Sequence, residues 1–575
     1  MGRPRALLSG PLPHPADAGA TPIDYATAPP DLPRTRRLFY GLYLGIFAAL
    51  VGGMGTFVIR WNHSASVALF VVLVLLFLGG AYGLARQIVA LLGPGGELPS
   101  LGTIDGRPRV AILYTTMNDV VPECLAAIYQ EYPVDVFVLD DSSDPKARAV
   151  VDAISVPRGY TVVRRPARRG FKAGAINDWF ARYGDRFDYF VLLDSDSFLP
   201  SDWVREALGY AEHPAHRRVA IFQGQINLWN LDTRFVQTLA PMSRVGQFVW
   251  ESRLANALDA VYCYGHNVLL RTAAVREIGG FVEGYVSEDF ATAVALADRG
   301  WHSRFVPLHT YEAMPENLRG FIKRQNKWTR GAMEFIELSR RSRISLGRKF
   351  HLWQTPGAHF TNLILPLGML LTVFGFASTP ASAAAFAQAF LQHPAATFWS
   401  IPLLRYLLLV GLVAAIPTVL VYRQTGIGWG IYWRHRWLTA AVSAVSLPYE
   451  AVSMASLLSR RIRTVPVTPK NEAALPLREV LWIARYALVL EGALLAGLVF
   501  VNPLAAVFNG IWLVPMALAP LVVVRFSGAP RPGEGPRTVP ARAEDGESRT
   551  ARERSVHLSL SRIRAANGWT PVAAA

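Results

Sequence analysis

The chain has 575 residues, 51% of them hydrophobic and only 17% charged, yet its formal net charge is +16 and its mean hydropathy +0.24. Apolarity on this scale speaks against a purely soluble protein and for a membrane protein whose positive charge is gathered in the loops, facing anionic lipid or a phosphorylated ligand. No zinc-finger spacing or helix-turn-helix pattern appears, so nucleic acid is not an expected partner, and the two distant cysteines, Cys124 and Cys263, exclude a disulfide framework.

Residues 1–35 are rich in Pro, Ala and Arg, lack apolar periodicity and are expected to be a disordered cytoplasmic tail without a signal peptide. Runs of about 20 apolar residues mark membrane spans. They are expected at Leu38–Ile59 and Val67–Leu84 (within 36–93), then at His359–Phe376, Phe398–Val421, Val480–Val501 and Leu504–Val524 (within 346–526). Ala377–Thr397 carries no Lys, Arg, Asp or Glu, whereas Arg423–Arg436, Arg460–Lys470 and the stretch from Arg525 onward are Arg-rich. The positive-inside rule therefore puts the large polar block at 105–345 and both termini in the cytoplasm of a multi-pass protein of the inner or plasma membrane. Trp437–Leu458 is apolar enough to span, but an even number of spans and Pro448 favour an interfacial helix interrupted at that proline. Residues 527–575 read as a disordered basic tail.

Within the polar block, Val110–Tyr114, Val134–Leu139, Tyr160–Val163, Phe187–Leu193 and Val219–Phe222 read as strands. Pro122–Gln130, Lys146–Ile154, Lys172–Tyr183 and Ser201–Ala211 read as the helices between them. This alternation predicts an α/β, doubly wound parallel sheet inserted in a transmembrane helical bundle, with chemistry beyond the carboxyl ends of the strands.

Two strands run into acids there: Asp140-Asp141 and Asp194-Ser195-Asp196. Each cluster alone suits a helix cap or turn. Together on one sheet edge they repel, which a divalent cation relieves; Mg²⁺ or Mn²⁺ held partly by phosphate fits such oxygen ligands. Lys172 opens a predicted helix, where a bound phosphate would explain a cation, although a solvated surface lysine is the plainer reading. Asp289, beside Glu288, is either a first-turn acid or a general base. The basic stretch holding Arg324, Lys327 and Trp328 suits an interfacial anchor equally well. If these separated acids act together, Asp141, Asp196 and Asp289 should converge on one cavity.

The ordered motifs, Asp-Asp, Lys172–Asn177 (Lys-Ala-Gly-Ala-Ile-Asn), Asp-Ser-Asp, Ser287-Glu288-Asp289 and the Lys-Trp pair before a span, resemble the processive family 2 glycosyltransferases, including bacterial cellulose synthase catalytic subunits. Val465-Pro466-Val467-Thr468-Pro469-Lys470 resembles their Phe-x-Val-Thr-x-Lys gating loop. The resemblance implies a GT-A-like catalytic domain, UDP-sugar contacts from Asp140, Asp141 and Lys172, metal binding at Asp194 and Asp196, and a base at Asp289. It further implies an acceptor sugar on Trp328 and closure over the donor by Thr468 and Lys470. The chain departs from Gln-x-x-Arg-Trp at Arg324 and Lys327, and from the gating loop's Phe at Val465. Arg324 and the run Tyr264-Gly265-His266-Asn267 are closer to synthases of osmoregulated periplasmic glucans, which usually carry His where Glu288 stands. No counterpart of the cyclic di-GMP-sensing PilZ module is expected in the tail.

The implied activity is a UDP-sugar-dependent hexosyltransferase that polymerises glucose into a β-glucan-like polysaccharide and exports it across the bilayer, with an accessory subunit outside the membrane. A non-processive transferase moving one sugar to a lipid carrier is the rival. Glu491 in a predicted span is expected to line the polymer's path, and Arg405 either does the same or snorkels outward.

Overall fold

In the computed structural model, the Val-, Ile- and Leu-rich runs of the polar block pair into one seven-stranded sheet. The strands are β1 (Val110–Thr116), β2 (Val134–Asp140), β3 (Thr161–Val163), β4 (Tyr189–Leu193), β5 (Val219–Leu228), β6 (Val268–Arg271) and β7 (His302–Glu312), in the spatial order β3-β2-β1-β4-β6-β5-β7. The structure describes residues 32–458, 474–501 and 516–527, apart from 94–97, 99–100, 103, 105, 232, 252–253, 262, 355–356, 361–363, 365–367, 369–370 and 372–379.

β1 to β4 run parallel, as the alternation of strands and helices predicts. The sheet is nonetheless mixed, because β6 is antiparallel to both β4 and β5, while β7 returns parallel to β5. β6 is only four residues long, and β7 interleaves Ser303, Arg304, His309 and Thr310 with its apolar residues, so neither presents an apolar run.

Helices cover both faces, which is why the inner strands are apolar on both sides. On one face α3 (Pro122–Ala126) packs over Ile112 and Val191; α4 (Pro145–Ser155) places Val151 in the same core. The other face takes α5 (Phe171–Tyr183), whose Ile176 and Trp179 cover Leu113 and Phe190. α6 (Trp203–Ala211) returns to the first face with a fully buried Trp203. The short α7 (Arg234–Leu239) and α8 (Glu288–Asp298) lead to the long amphipathic α9 (Leu318–Arg341).

The spine of the molecule is α9. Its first turns place Leu318, Phe321 and Ile322 against Phe235 of α7, Leu438 and Val445 of α12 (Trp429–Leu458), Val480 of α13 (Leu477–Val501) and Val523 of α14 (Ala519–Phe526). Its last turns place Phe335 and Leu338 against Phe39 of α1 (Leu32–Phe57), Tyr82 of α2 (Ser64–Leu91) and Leu352 of α10 (Leu346–Leu352). The sheet domain is thereby seated on the long apolar helices at two points.

Among the described residues, four helices are long and apolar enough to cross a membrane: Arg34–Phe57, Ser66–Leu91, Trp429–Ala455 and Leu477–Gly497; α11 (Pro402–Gln424) carries a shorter apolar stretch, Leu408–Gln424. Pro448 does not interrupt α12, which continues through it to Leu458. A proline removes one rung of the helical ladder, and the buried side of α12, held by Leu438, Ala441, Val442 and Val445, keeps the rest in register. Most of the expected span at His359–Phe376, much of Leu504–Val524, both tails and the Val465–Lys470 loop with Thr468 and Lys470 lie outside the described residues.

Candidate active site

β4 delivers Leu193 to the sheet edge, and the chain then turns through Asp194, with Ser197 N–H donating to Asp194 O at 3.0 Å. Tyr114 of β1 pins the turn by donating to Ser195 O at 2.6 Å. From the N-terminus of α5, Lys172 Nζ reaches across to Asp194 Oδ1 at 2.5 Å and Gly265 O at 2.8 Å. The loop before β6 is held by Gln223 of β5, which accepts from Tyr264 N–H at 2.9 Å and donates to His266 O at 3.0 Å.

These elements enclose a cavity lined by Lys172, Asp194, Asp196, Tyr264, His266, Glu288, Asp289, Glu312, Glu316, Arg324, Lys327 and Trp328, among others. Asp289 stands on the first turn of α8 and accepts from Phe290 N–H at 2.7 Å. Gly265, at φ +77°, lies so close that a Cβ there would come 2.5 Å from Asp289 Oδ2. Positions 324, 327, 328 and 331 recur at helical spacing, so α9 turns Arg324, Lys327 and Trp328 to the cavity on one face. The Arg324 guanidinium stacks 4.6 Å from the Trp328 ring centroid, and Trp328 stays 47% exposed, which leaves its ring open to a ligand.

The charges are mutually dependent. Burial works against ionisation of Asp194, yet Lys172 and His266 hold its carboxyl well below the usual range. Burial likewise opposes the charge on Lys172, which Asp194 and Glu288 keep protonated. His266 is raised to about 9, against its burial, by Asp194 and Glu312. As an imidazolium it donates from Nε2 to Glu312 Oε2 at 2.6 Å and from Nδ1 to Tyr264 O at 2.9 Å. Burial raises both Glu288 and Asp289, and the proximity of Asp289 raises Glu288 further.

Six carboxylates (Asp194, Asp196, Glu288, Asp289, Glu312, Glu316) thus face four cationic groups (Lys172, His266, Arg324, Lys327). That surplus of hard oxygen donors fits an added divalent cation at Asp194 and Asp196. Among the described residues no group of three or more His, Cys, Asp and Glu forms a protein-only ligand set, so a cation held at Asp194 and Asp196 would leave most of its ligand positions to other oxygen donors.

Of the residues singled out in the sequence, Lys172, Asp194, Asp196, Glu288, Asp289, Arg324, Lys327 and Trp328 come together here. Asp140 and Asp141 do not join them, contrary to the expected convergence of Asp141 with Asp196 and Asp289. They end β2, and β1 lies between β2 and β4, a separation of two strand spacings or about 10 Å. Arginines already engage both acids: Arg164 Nε donates to Asp140 at 2.7 Å, and Arg165 grips Asp141 at 2.8 and 2.6 Å. Arg165 also donates to Phe171 O at 2.6 Å, tying Asp141 to the start of the helix that carries Lys172. His266, as a charged member of the cavity, and Glu312, its partner, were not selected from sequence. Glu312 ends β7, so an acid after a strand was a usable signal only once that strand had been recognised.

Residues 189–432 match the family model described as glycosyl transferase family group 2. Over that stretch the chain is similar to the family 2 glycosyltransferases. It is 24% identical over 446 residues to a glucans biosynthesis glucosyltransferase H of Rhodopseudomonas palustris, a match covering 69% of this chain and 59% of that protein. It is 26% identical over 317 residues to the protein of the same description from Xanthomonas campestris pv. campestris, covering 49% of this chain and 47% of the relative. These matches therefore span less than two thirds of the relatives' length. Among solved structures, a mannosyltransferase, PcManGT from Pyrobaculum calidifontis, in complex with GDP-Man and Mn²⁺, aligns with TM-score 0.40 and 19% identity over 66% of this chain and 99% of that one. The matched residues take in β4 to β7 of the mixed sheet, the acids beyond β4 and the whole of α9.

Proposed function

We propose that the protein is a membrane-embedded, inverting glycosyltransferase that polymerises glucose from UDP-glucose into a β-glucan-like polysaccharide and exports it, with the sheet domain on the cytoplasmic side of the inner membrane. The observation that carries this reading is the meeting of Asp289, Lys172, the Asp194–Asp196 pair and an open Trp328 in one cavity. The relatives, described as glucans biosynthesis glucosyltransferases, support a glucan product. Trp328 favours a sugar-chain acceptor over a lipid carrier, since an exposed indole face stacks on the C–H face of a pyranose.

In this scheme the nucleotide lies along the sheet edge, its base toward Asp140 and Asp141 and its diphosphate toward Lys172, Arg324 and Lys327. Trp328 orients the terminal acceptor sugar, and Asp289 removes the proton of its hydroxyl as that oxygen attacks the anomeric carbon. The bond from that carbon to the diphosphate breaks, UDP leaves with the electron pair, and the configuration inverts. Burial raises the affinity of Asp289 for a proton, in the direction a general base requires. Asp194 and Asp196 would hold Mg²⁺ or Mn²⁺, which when bound offsets charge on the leaving diphosphate.

The test is UDP release and product linkage analysis with purified protein in nanodiscs, given UDP-glucose and Mg²⁺ or Mn²⁺. Wild type is expected to make a β-linked polymer. Asp289→Asn should slow release by about 10²- to 10⁴-fold. Equal rates in the two proteins remove Asp289 from its role, and transfer of a single glucose to lipid favours the rival.

A further inference from the structure

One half-buried acid beside the cavity has no part in this scheme. Glu334 lies two turns beyond Trp328 on α9 and reaches back to the loop that precedes α8. Its Oε2 accepts from Val286 N–H at 2.8 Å and from Ser287 N–H at 3.2 Å, and its Oε1 shares the Val286 N–H at 3.0 Å. One turn nearer the cavity, Gly331 lets the loop lie directly on the helix: a Cβ there would stand 1.7 Å from Ser287 Oγ. Ser287 occupies the N-cap position of α8 without a side-chain cap of its own. Free amides at a helix entrance otherwise need an acceptor from elsewhere, and α9 supplies it.

We infer that Glu334 is the positioning residue for the proposed base: by accepting the Val286 and Ser287 amides it fixes the turn from which Glu288 and Asp289 enter the cavity, and locks that turn to the helix that presents Trp328. The inference rests on the reading of Asp289 as the base. Acceptor and base are then held by one rigid helix, Trp328 directly and Asp289 through a carboxylate two turns further along. Of the donor groups, Lys172 stands on α5 and Asp194 and Asp196 after β4, while Arg324 and Lys327 stand on α9 itself, on the helix rather than on the clamped loop. Loss of the clamp should therefore misplace the base relative to the acceptor while leaving donor binding intact. Because a single oxygen, Oε2, takes both amides, an uncharged amide side chain can do the same work. Burial and the neighbouring Glu288 and Glu337 raise the Glu334 carboxyl to about 7, against the Val286 and Ser287 amides, which favour its ionised form.

The experiment compares Glu334→Gln, Glu334→Asp and Glu334→Ala in steady-state transfer and in hydrogen–deuterium exchange of the amides at 286–289. Asp retains the charge but withdraws the oxygens by one methylene. For Ala and Asp, kcat should fall about 10- to 100-fold with KM for UDP-glucose unchanged, the usual consequence of a misplaced reacting group, and exchange at 286 and 287 should quicken. Gln should keep near-wild-type kcat and slow exchange. Unchanged kcat and exchange in the Asp variant, or a Gln variant as slow as Ala, overturns the inference. If wild type transfers no sugar, the reading of Asp289 fails and the positioning role with it, whereas unchanged exchange in an active enzyme sinks the clamp alone.

Discussion

Single side chains in this site are chosen as much for the charge they borrow as for the charge they bear. His266 is cationic because Asp194 and Glu312 flank it, and Asp194 stays ionised because Lys172 touches it. Glu334 is the counterexample, a carboxyl whose burial works against ionisation and whose titratable neighbours are Glu288 at the start of α8, Glu337 on its own helix and Tyr285 in the loop. Its folded value of about 7 lies above the ordinary 4.5. A group that holds its proton more tightly folded than unfolded adds stability below about pH 4.5, and that contribution is lost as pH rises through about 7. Glu334→Gln cannot ionise. Its unfolding midpoint in detergent should therefore exceed wild type at pH 8, with the gap closing toward pH 4.5. A gap of the same size at both ends of the range would show that Glu334 does not titrate in this window. Glu334 was illegible in sequence, because an acid on the polar side of an amphipathic helix looks solvated until the partner loop is seen. Lys172, Asp194 and Asp196 were legible because strand ends and a helix start fix where such residues face.

Among the elements, α9 and the turn before α8 form a pair whose contact is set by the smallness of one residue. Gly331 faces Ser287 with no room for a side chain. Gly331→Ala should push the turn outward and cut transfer by about tenfold or more, although alanine is the better helix former. Adding Ser287→Ala removes the hydroxyl that the new methyl meets and should restore part of the rate. A double variant no faster than Gly331→Ala would place the damage elsewhere. Sequence patterning located β1 to β4 to within about two residues because their apolar runs are short and bounded by turn residues. It failed at β7, where polar residues serve the interior: His302 Nδ1 bonds Asp259 at 2.9 Å, Arg304 donates to Asp259 at 2.8 Å, and Thr310 Oγ1 donates to Gln225 O at 3.0 Å. Polar partners buried in this way erase the alternation by which strands are read. Pro448 misled for the opposite reason, since a local breaker was outweighed by packing along the whole of α12.

At the scale of the molecule, one helix belongs to three neighbourhoods. The start of α9 is packed among α7, α12, α13 and α14, its end among α1, α2 and α10, and its middle forms a wall of the cavity. A polar link reinforces the first contact: Thr329, next to Trp328, bonds His359 Nδ1 at 3.0 Å, and the same nitrogen lies 3.3 Å from Glu450 of α12. Helices matched to a bilayer tilt when its hydrocarbon thickness changes, at a cost of fractions of a kcal/mol per Å. A rod clamped at both ends transmits such tilting to whatever is mounted between the clamps. Turnover in vesicles should accordingly pass through an optimum as lipid acyl chains are lengthened. The bilayer would then act as a tuning element for the site, and acyl-chain composition would set its turnover without any ligand entering the cavity.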